Sequence, residues 1–402
     1  MRISFAFLAL ALTLGTPALS QTSLTAEIAA TGLTATEARL AALPSPTDAD
    51  RFALGGVRFL ATVEGALQKR WAAGLTDRTA MMPFLRLPIS ENPAPRFYPG
   101  VITALFRDVS LGMNAAREPL SQIPDAADFG LQINLADLWF DINANTTRDP
   151  GEDLMDVAGP MILGWRWADR DPATPAPVIR FDAADAAWLS AYTHLLAGLS
   201  DVVLAYDPTA AITKVTETRA ALLALQSLPS NTDDYGYDAQ FGEWIDVAYV
   251  VIDALNQQPD AARAASAQAH LRAMVADNRT FWTRVATETD NAAEWLPNDA
   301  QTSALGLVLP PGTGAAWLAV LTDLEAILNG DLLIPYWKLD AGAGVNVGAM
   351  FTDPRPIDLA GWIQGTDALP YLQRGQLADG ASLDAFNGLV EGEAMLFSVF
   401  LN

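Results

Sequence analysis

The chain contains no cysteine. That excludes disulfides, thiol catalysis and cysteine-ligated zinc or iron–sulfur centres. Histidine is scarce too: His194 and His270 are the only two in 402 residues, which argues against a multi-histidine metal centre. Positive charge is also short. There are 24 Lys+Arg against 47 Asp+Glu, a formal net charge of −23. Such a surface repels phosphate backbones and anionic lipid headgroups, so neither nucleic acid nor a membrane surface is an expected partner. Beyond the N-terminus no segment approaches the ~20 consecutive apolar residues of a membrane span. The catalytic signatures G-x-S-x-G, H-E-x-x-H, the P-loop and G-x-G-x-x-G are all missing.

Apolar residues, by contrast, are abundant. They make up 51% of the sequence, and aromatic residues make up 9%. A chain of this length can therefore bury one large core or two ordinary ones. With no disulfides available, the core must carry the stability, with a bound ion as a further source.

The N-terminus has the layout of a secretory signal peptide. Arg2 supplies the positive start, residues 3–15 form a short apolar stretch, and Ala18-Leu19-Ser20 puts small residues at the −3 and −1 positions. Cleavage is expected after Ser20, which gives a periplasmic or extracellular protein; an uncleaved anchor is the alternative. No cysteine stands at the cleavage site, so a lipid-anchored lipoprotein is excluded.

Helical periodicity dominates the rest. Phe52, Phe59, Leu60, Val63, Leu67 and Trp71 share one face, with Asp48 or Asp50 able to cap the start. Ile102, Leu105, Phe106, Val109 and Met113 form a second stripe. Trp188, Tyr192, Leu195, Leu199, Val202 and Tyr206 form a third. Further helical segments are expected over 241–255, 270–285, 317–328 and 383–400. Strand alternation is confined to short pieces, 132–138 and 178–181, that could pair. The expected fold is mainly α, a multi-helix bundle or helical array with few short strands. Pro172, Pro175 and Pro177 make residues 166–180 an extended connector. It would separate an N-terminal helical part (21–165) from a C-terminal helical part (181–402). Residues 310–312 and 342–348 read as loops within the latter.

One segment carries chemistry. Residues 141–152 read Asp-Ile-Asn-Ala-Asn-Thr-Thr-Arg-Asp-Pro-Gly-Glu. Calcium requires six to eight oxygen ligands at about 2.3–2.6 Å, and alternate side chains of a curling loop can converge on one ion. The spacing D-x-N-x-N-x-x-x-D-x-x-E resembles the calcium loop of EF-hand proteins and of dockerin-like and thrombospondin-type repeats. The resemblance covers these twelve residues and not the rest of the chain. It implies side-chain ligands from Asp141, Asn143 and Asn145, a backbone carbonyl from Thr147, a water held by Asp149 and a bidentate carboxylate from Glu152. Thr146 departs from the glycine usual at the sharp turn, and Arg148 from the usual aliphatic residue. Pro150 and Gly151 disfavour a helix entering at the loop's end. A lone loop with three carboxylates implies weak affinity, on the order of 10⁻⁴–10⁻³ M. The competing reading is an Asx-rich surface turn without a metal. Asn145-Thr146-Thr147 and Asn278-Arg279-Thr280 also match the N-glycosylation sequon.

Other polar residues have simpler readings. Asp182 and Asp185 could act as an acid–base pair, but they also stand at the N-cap and N3 of the third helix, where capping is expected. His194, beside Leu195 and Leu196 on that helix, is expected to be packed or satisfied by a partner rather than catalytic, and His270 to be exposed. Asp233 and Asp234, before Tyr235 and Tyr237, could line a sugar cleft or simply form a helix-entry loop. Glu391 and Glu393 point different ways on a helix. Trp71, Trp188, Trp244 and Trp317 fall in phase with aliphatic neighbours and are expected in the core, whereas Trp165 and Trp167 could form an exposed patch.

The leading expectation is an exported, non-enzymatic helical protein with a structural calcium loop, acting on or with a small molecule, glycan or envelope protein. The alternative is a helical hydrolase that uses carboxylates on an envelope or carbohydrate substrate.

Overall fold

The computed structural model describes residues 23–76, 85, 87–163, 166–171, 174–225 and 236–390. Among these it is a helical array with a few short strands, in agreement with the sequence. The expected signal peptide, Trp165, Asp233, Asp234, Tyr235, Glu391 and Glu393 lie outside the described residues.

The early helices are α1 (Leu24–Ala41), α2 (Asp48–Ala73) and α3 (Val101–Leu120). α1 is broken at Gly32, whose φ of 75° is open to glycine at no steric cost. α2 starts at a capping box in which the Thr47 hydroxyl accepts the Asp50 N–H and the Asp50 carboxylate accepts the Thr47 N–H. It ends at Gly74, in the left-handed conformation typical of helix C-termini. Strand β1 (Leu131–Asn134) pairs antiparallel with β2 (Val178–Phe181), with Leu131 opposite Phe181 and Asn134 opposite Val178. These are the two short pieces read as able to pair. Between them lie α4 (Leu154–Leu163) and α5 (Arg166–Asp169).

The second half contains α6 (Ala183–Ala205), α7 (Thr209–Leu225), α8 (Gly236–Leu255), α9 (Ala261–Val285) and α10 (Thr313–Asn329). Three strands, β3 (Ile334–Pro335), β4 (Ala343–Val345) and β5 (Leu372–Arg374), make a small antiparallel sheet. Helices α11 (Val347–Thr352), α12 (Leu359–Gln364) and α13 (Ala381–Leu389) complete the array. No single described helix is long and apolar enough to cross a membrane.

Helices α1, α2, α3, α6, α9 and α10 pack in succession, each against the next. α6 and α9 share the most extensive contact, and small residues line it. A Cβ at Gly198 would stand 3.3 Å from the His270 Cβ and from Leu271. One core cluster includes Leu67 of α2, Trp188 of α6, Phe281 of α9 and Trp317 of α10, and so draws on residues from both sides of the connector. Trp188 and Trp317 are buried as expected, whereas Trp71 and Trp244 are half-buried. Trp167 is half-buried rather than exposed. Its ring fills the space beside Gly159, and Arg170 stacks over it. A smaller cluster of Tyr336, Val345, Ala368 and Tyr371 sits over the β3–β5 sheet. The α7–α8 pair leaves Leu222, Leu223, Ile245 and Tyr249 exposed.

Candidate functional site

Residues 141–152 form a closed loop. Its ends are clasped by backbone bonds: the Phe140 N–H donates to the Glu152 carbonyl (2.8 Å), and the Leu154 N–H donates to the Leu138 carbonyl (2.9 Å). Trp139 and Asp153 make an antiparallel bridge between them. Helix α4 begins only at Leu154, after the Pro150–Gly151 corner. The arrangement is therefore a clasped loop followed by a helix, not a loop between two helices. Leu138, Phe140 and Ile142 are buried and anchor the entry. The Trp139 indole donates to the Ile28 carbonyl of α1 (3.0 Å), and its ring lies against Gly32.

Within the loop the Asp141 carboxylate accepts the N–H groups of Asn145 and Thr146, both at 2.9 Å. Asp149 Oδ2 accepts the side-chain amides of Asn143 (2.8 Å) and Asn145 (2.7 Å). The Asn143 and Asn145 carbonyl oxygens accept the N–H groups of Asn145 and Thr147. Glu152 is buried, and its two oxygens accept the N–H groups of Ile142 (2.9 Å) and Asp149 (2.8 Å). Each carboxylate oxygen has two lone-pair sites, so these bonds leave acceptor capacity on Asp141 and Glu152. Ala144 (φ 58°) and Thr146 (φ 64°) both adopt the left-handed conformation. Thr146 thus takes up a conformation usually given to glycine, at the position where the EF-hand pattern has one. Arg148 turns outward, donating to Asp153 (2.6 Å) and to the Ala136 carbonyl (2.7 Å).

Two residues of α2 complete this site and were not singled out by the pattern. Glu64 Oε2 accepts the Asp141 N–H (2.8 Å), and Gln68 donates to the Asp141 carbonyl (2.8 Å). Glu64 is buried. Burial raises its pKa to about 7; the Asp141 N–H bond opposes this, and the charges of Asp141 and Glu152 add to it. A signal was present in the sequence. Glu64 stands seven residues after Val57 and three before Leu67, in phase with the buried face of α2.

A second acidic group joins the start of α6 to the loop after α9. Oxygens of Asp182, Glu288 and Glu294 lie within 4.8 Å of one another, close enough for one cation. Asp182 and Asp185 form the capping box of α6 as the sequence suggested: Asp182 Oδ1 accepts the Ala184 N–H, and Asp185 Oδ2 accepts the Asp182 N–H. Glu294 accepts the Ala292 N–H (2.8 Å), Gln301 donates to Glu288 (3.3 Å), and Arg180 bridges Asp182 and Asp290. Burial, then the Asp182 charge, pushes the Glu288 carboxyl up to about 7. Burial likewise raises Asp185 well above its ordinary value, and Glu294 less. Glu288 and Glu294 fall in a non-periodic stretch, so nothing in their spacing marked them.

The two histidines meet. His194 of α6 and His270 of α9 face each other with their Nδ1 atoms 2.8 Å apart. His270 is half-buried, not exposed as the sequence suggested, because the Gly198 contact brings α9 down onto α6. His194 Nε2 stands 4.0 Å from Asp277 Oδ2, which accepts the Ser190 hydroxyl at 2.6 Å. Burial, the Arg117 charge and His270 hold His194 down near a pKa of about 3. Burial and Arg117 also lower His270. The Asn278 sequon is closed to glycosylation, since Asn278 is 2% exposed and accepts the Trp317 indole N–H (2.7 Å).

No protein-family model, curated protein or solved structure matches this chain.

Proposed function

We propose that this is an exported helical protein in which the loop 141–152 binds one calcium ion in a structural role. The observation that carries the reading is the convergence of Asp141, Asn143, Asn145, Asp149 and Glu152 within one clasped loop. Their oxygen chemistry is the kind calcium prefers. The ion would offset the mutual repulsion of Asp141, Glu152 and Glu64 and tie the loop to α1 and α2. Binding to the folded state alone adds RT ln(1 + [Ca]/Kd), on the order of 1 kcal/mol in millimolar calcium at the weak affinity expected. A periplasmic or extracellular location, where free calcium reaches such levels, is part of the same proposal.

The test is the melting temperature of residues 21–402 in EGTA and in rising calcium, with Asp141→Ala and Glu152→Ala alongside. A calcium-dependent rise in the wild type, absent from both variants, supports the reading. No shift up to several millimolar calcium would sink it.

A carboxylate-dependent hydrolase is the second reading, and Asp182, Glu288 and Glu294 are the residues that favour it. Asp182, however, is engaged in capping α6 and pairs with Arg180, which leaves it poorly placed to act as acid or base. The non-enzymatic reading is therefore preferred.

A further inference from the structure

We propose that His194 and His270 form a two-histidine site for a divalent transition metal of the copper(II) or nickel(II) type. The proposal is independent of the calcium loop. The chain has two histidines, 76 residues apart in sequence, and the fold sets them face to face across the most extensively packed pair of described helices. The ring centroids are 5.0 Å apart and the ring planes are inclined by 51°.

The spacing selects among metals. Two imidazole nitrogens each about 2.0 Å from one ion stand about 2.8 Å apart at a right angle, and about 3.3 Å apart at a tetrahedral angle. The observed Nδ1–Nδ1 distance is 2.8 Å. That is the length of an N–H···N hydrogen bond between the rings, and replacing its proton by an ion moves the nitrogens least when they take adjacent positions of a square-planar or tetragonal ion, the preference of copper(II) and nickel(II). Zinc would require the rings to separate by about half an ångström.

The surroundings supply an outer shell on one side. Metal-bound imidazoles commonly turn their second nitrogen toward a carboxylate. His194 Nε2 has Asp277 at 4.0 Å, beyond hydrogen-bond length, and Ser190 donates to that carboxylate; a small shift of either side chain would complete the outer-shell bond. A proton on Nε2 of His194 leaves its Nδ1 bare, with the shared proton on His270 Nδ1. Metal binding then requires only that this proton move to His270 Nε2, so both rings stay neutral and no proton is lost. His194 retains 16% side-chain exposure, and water would fill the ion's remaining positions.

Two other charges face the pair. Arg117 of α3 donates to Thr193 (3.1 Å) and to Asn114, and its positive charge opposes a cation. Asp201 of α6 is paired with Arg263 (2.8 Å) and contributes partial compensation on the His270 side. The site is therefore expected to bind weakly, and Arg117→Met should tighten it several-fold.

The experiment is Cu(II) titration of the untagged chain at pH 7, in millimolar Ca(II) to occupy surface carboxylates. Binding is followed by calorimetry, and the ligands are identified by electron paramagnetic resonance with spin-echo detection of imidazole nitrogen. Because no other histidine exists, two coupled imidazoles can come only from this pair. The expected result is one Cu(II) with two imidazoles, lost in both His194→Gln and His270→Gln, with circular dichroism confirming that each variant is folded. Asp277→Asn should weaken binding by roughly tenfold. A spectrum showing carboxylate oxygens only, or a single imidazole, would overturn the proposal. So would binding that survives in the double histidine variant.

Discussion

Thr146 holds a β-branched side chain at φ 64°, and replacing it with glycine tests how the 141–152 loop is built. A left-handed conformation costs an L-residue about 1–2 kcal/mol, and β-branching puts Thr146 toward the upper end of that range. Glycine removes this strain but gains freedom in the unfolded chain, which returns about 0.5–1 kcal/mol. The hydroxyl of Thr146 donates only to the exposed carbonyl of Asn145, so its loss costs little. Thr146→Gly is therefore expected to stabilise the protein by about 0.5–1 kcal/mol, read from urea denaturation in EGTA. Calcium titration of the same variant gives a second, independent result. If the loop keeps one backbone shape with and without the ion, the strain cancels from binding, and the affinity should change by less than about twofold. If the loop forms only around the ion, relief of strain appears in the affinity instead. The clasp at Phe140–Glu152 and Leu138–Leu154 argues for the preformed loop. A Thr146→Gly protein less stable than the wild type in EGTA would refute the strain argument.

Other perturbations have defined signs. The folded pKa of Glu288 lies near 7, above the usual 4.5, so the stability it contributes is complete below pH 4.5 and is lost as pH rises through 7. The full loss is at most about 3 kcal/mol, and solvent reaching the half-buried carboxyl reduces it. Glu288→Gln should therefore raise the urea midpoint at pH 8 and leave it unchanged at pH 4; an equal shift at both would rule out titration as the cause. Asn278→Ala strips the Trp317 indole of its acceptor and should cost about 1–3 kcal/mol at any pH, seen in the melting temperature. Gly198→Val pushes a side chain into His270 and Leu271, and should cost about 1–3 kcal/mol while separating the two imidazoles. Unchanged stability in Gly198→Val would show that α9 can shift away from α6 without penalty.

Which parts of this fold could be read from the sequence follows from how each element is stabilised. α2 and α3 each bury one face, and the 3.6-residue stripe records that burial directly, whereas α6 buries small and polar residues such as Ala197, Gly198 and Ser200, and Leu199 of its expected stripe is exposed. The β1–β2 pair was legible because its short alternating pieces stand between turn residues. α1 was missed because Gly32 interrupts its periodicity, so no continuous face spans its 18 residues. α7 was missed for the opposite reason: it buries only Ala211 and therefore carries no stripe to detect. The loop 141–152 was visible because its polar groups are neighbours in sequence, and twelve consecutive residues contain nearly the whole pattern.

The remaining site chemistry is assembled across large sequence separations, where local spacing carries no information. Glu64 reaches the Asp141 N–H from 77 residues away, and His194 meets His270 from 76. What a sequence can register in such cases is a violated expectation: a carboxylate in phase with a buried helical face, or a glycine where helices must touch. Glu64 and Gly198 are both of this kind. Neither is favoured where it stands, since ionised carboxylates resist burial and glycine weakens helices by about 1 kcal/mol relative to alanine. Each is explained by what it faces: the Asp141 backbone for Glu64, and the His270 side of α9 for Gly198. Such positions are also where substitution separates stability from site chemistry. Glu64→Gln would keep an acceptor for the Asp141 N–H while removing a buried charge, whereas Glu64→Leu would leave that N–H without its partner, at a cost of about 1–3 kcal/mol. A glutamine variant as stable as the wild type, beside a leucine variant that is not, would assign Glu64 its role through the hydrogen bond rather than the charge.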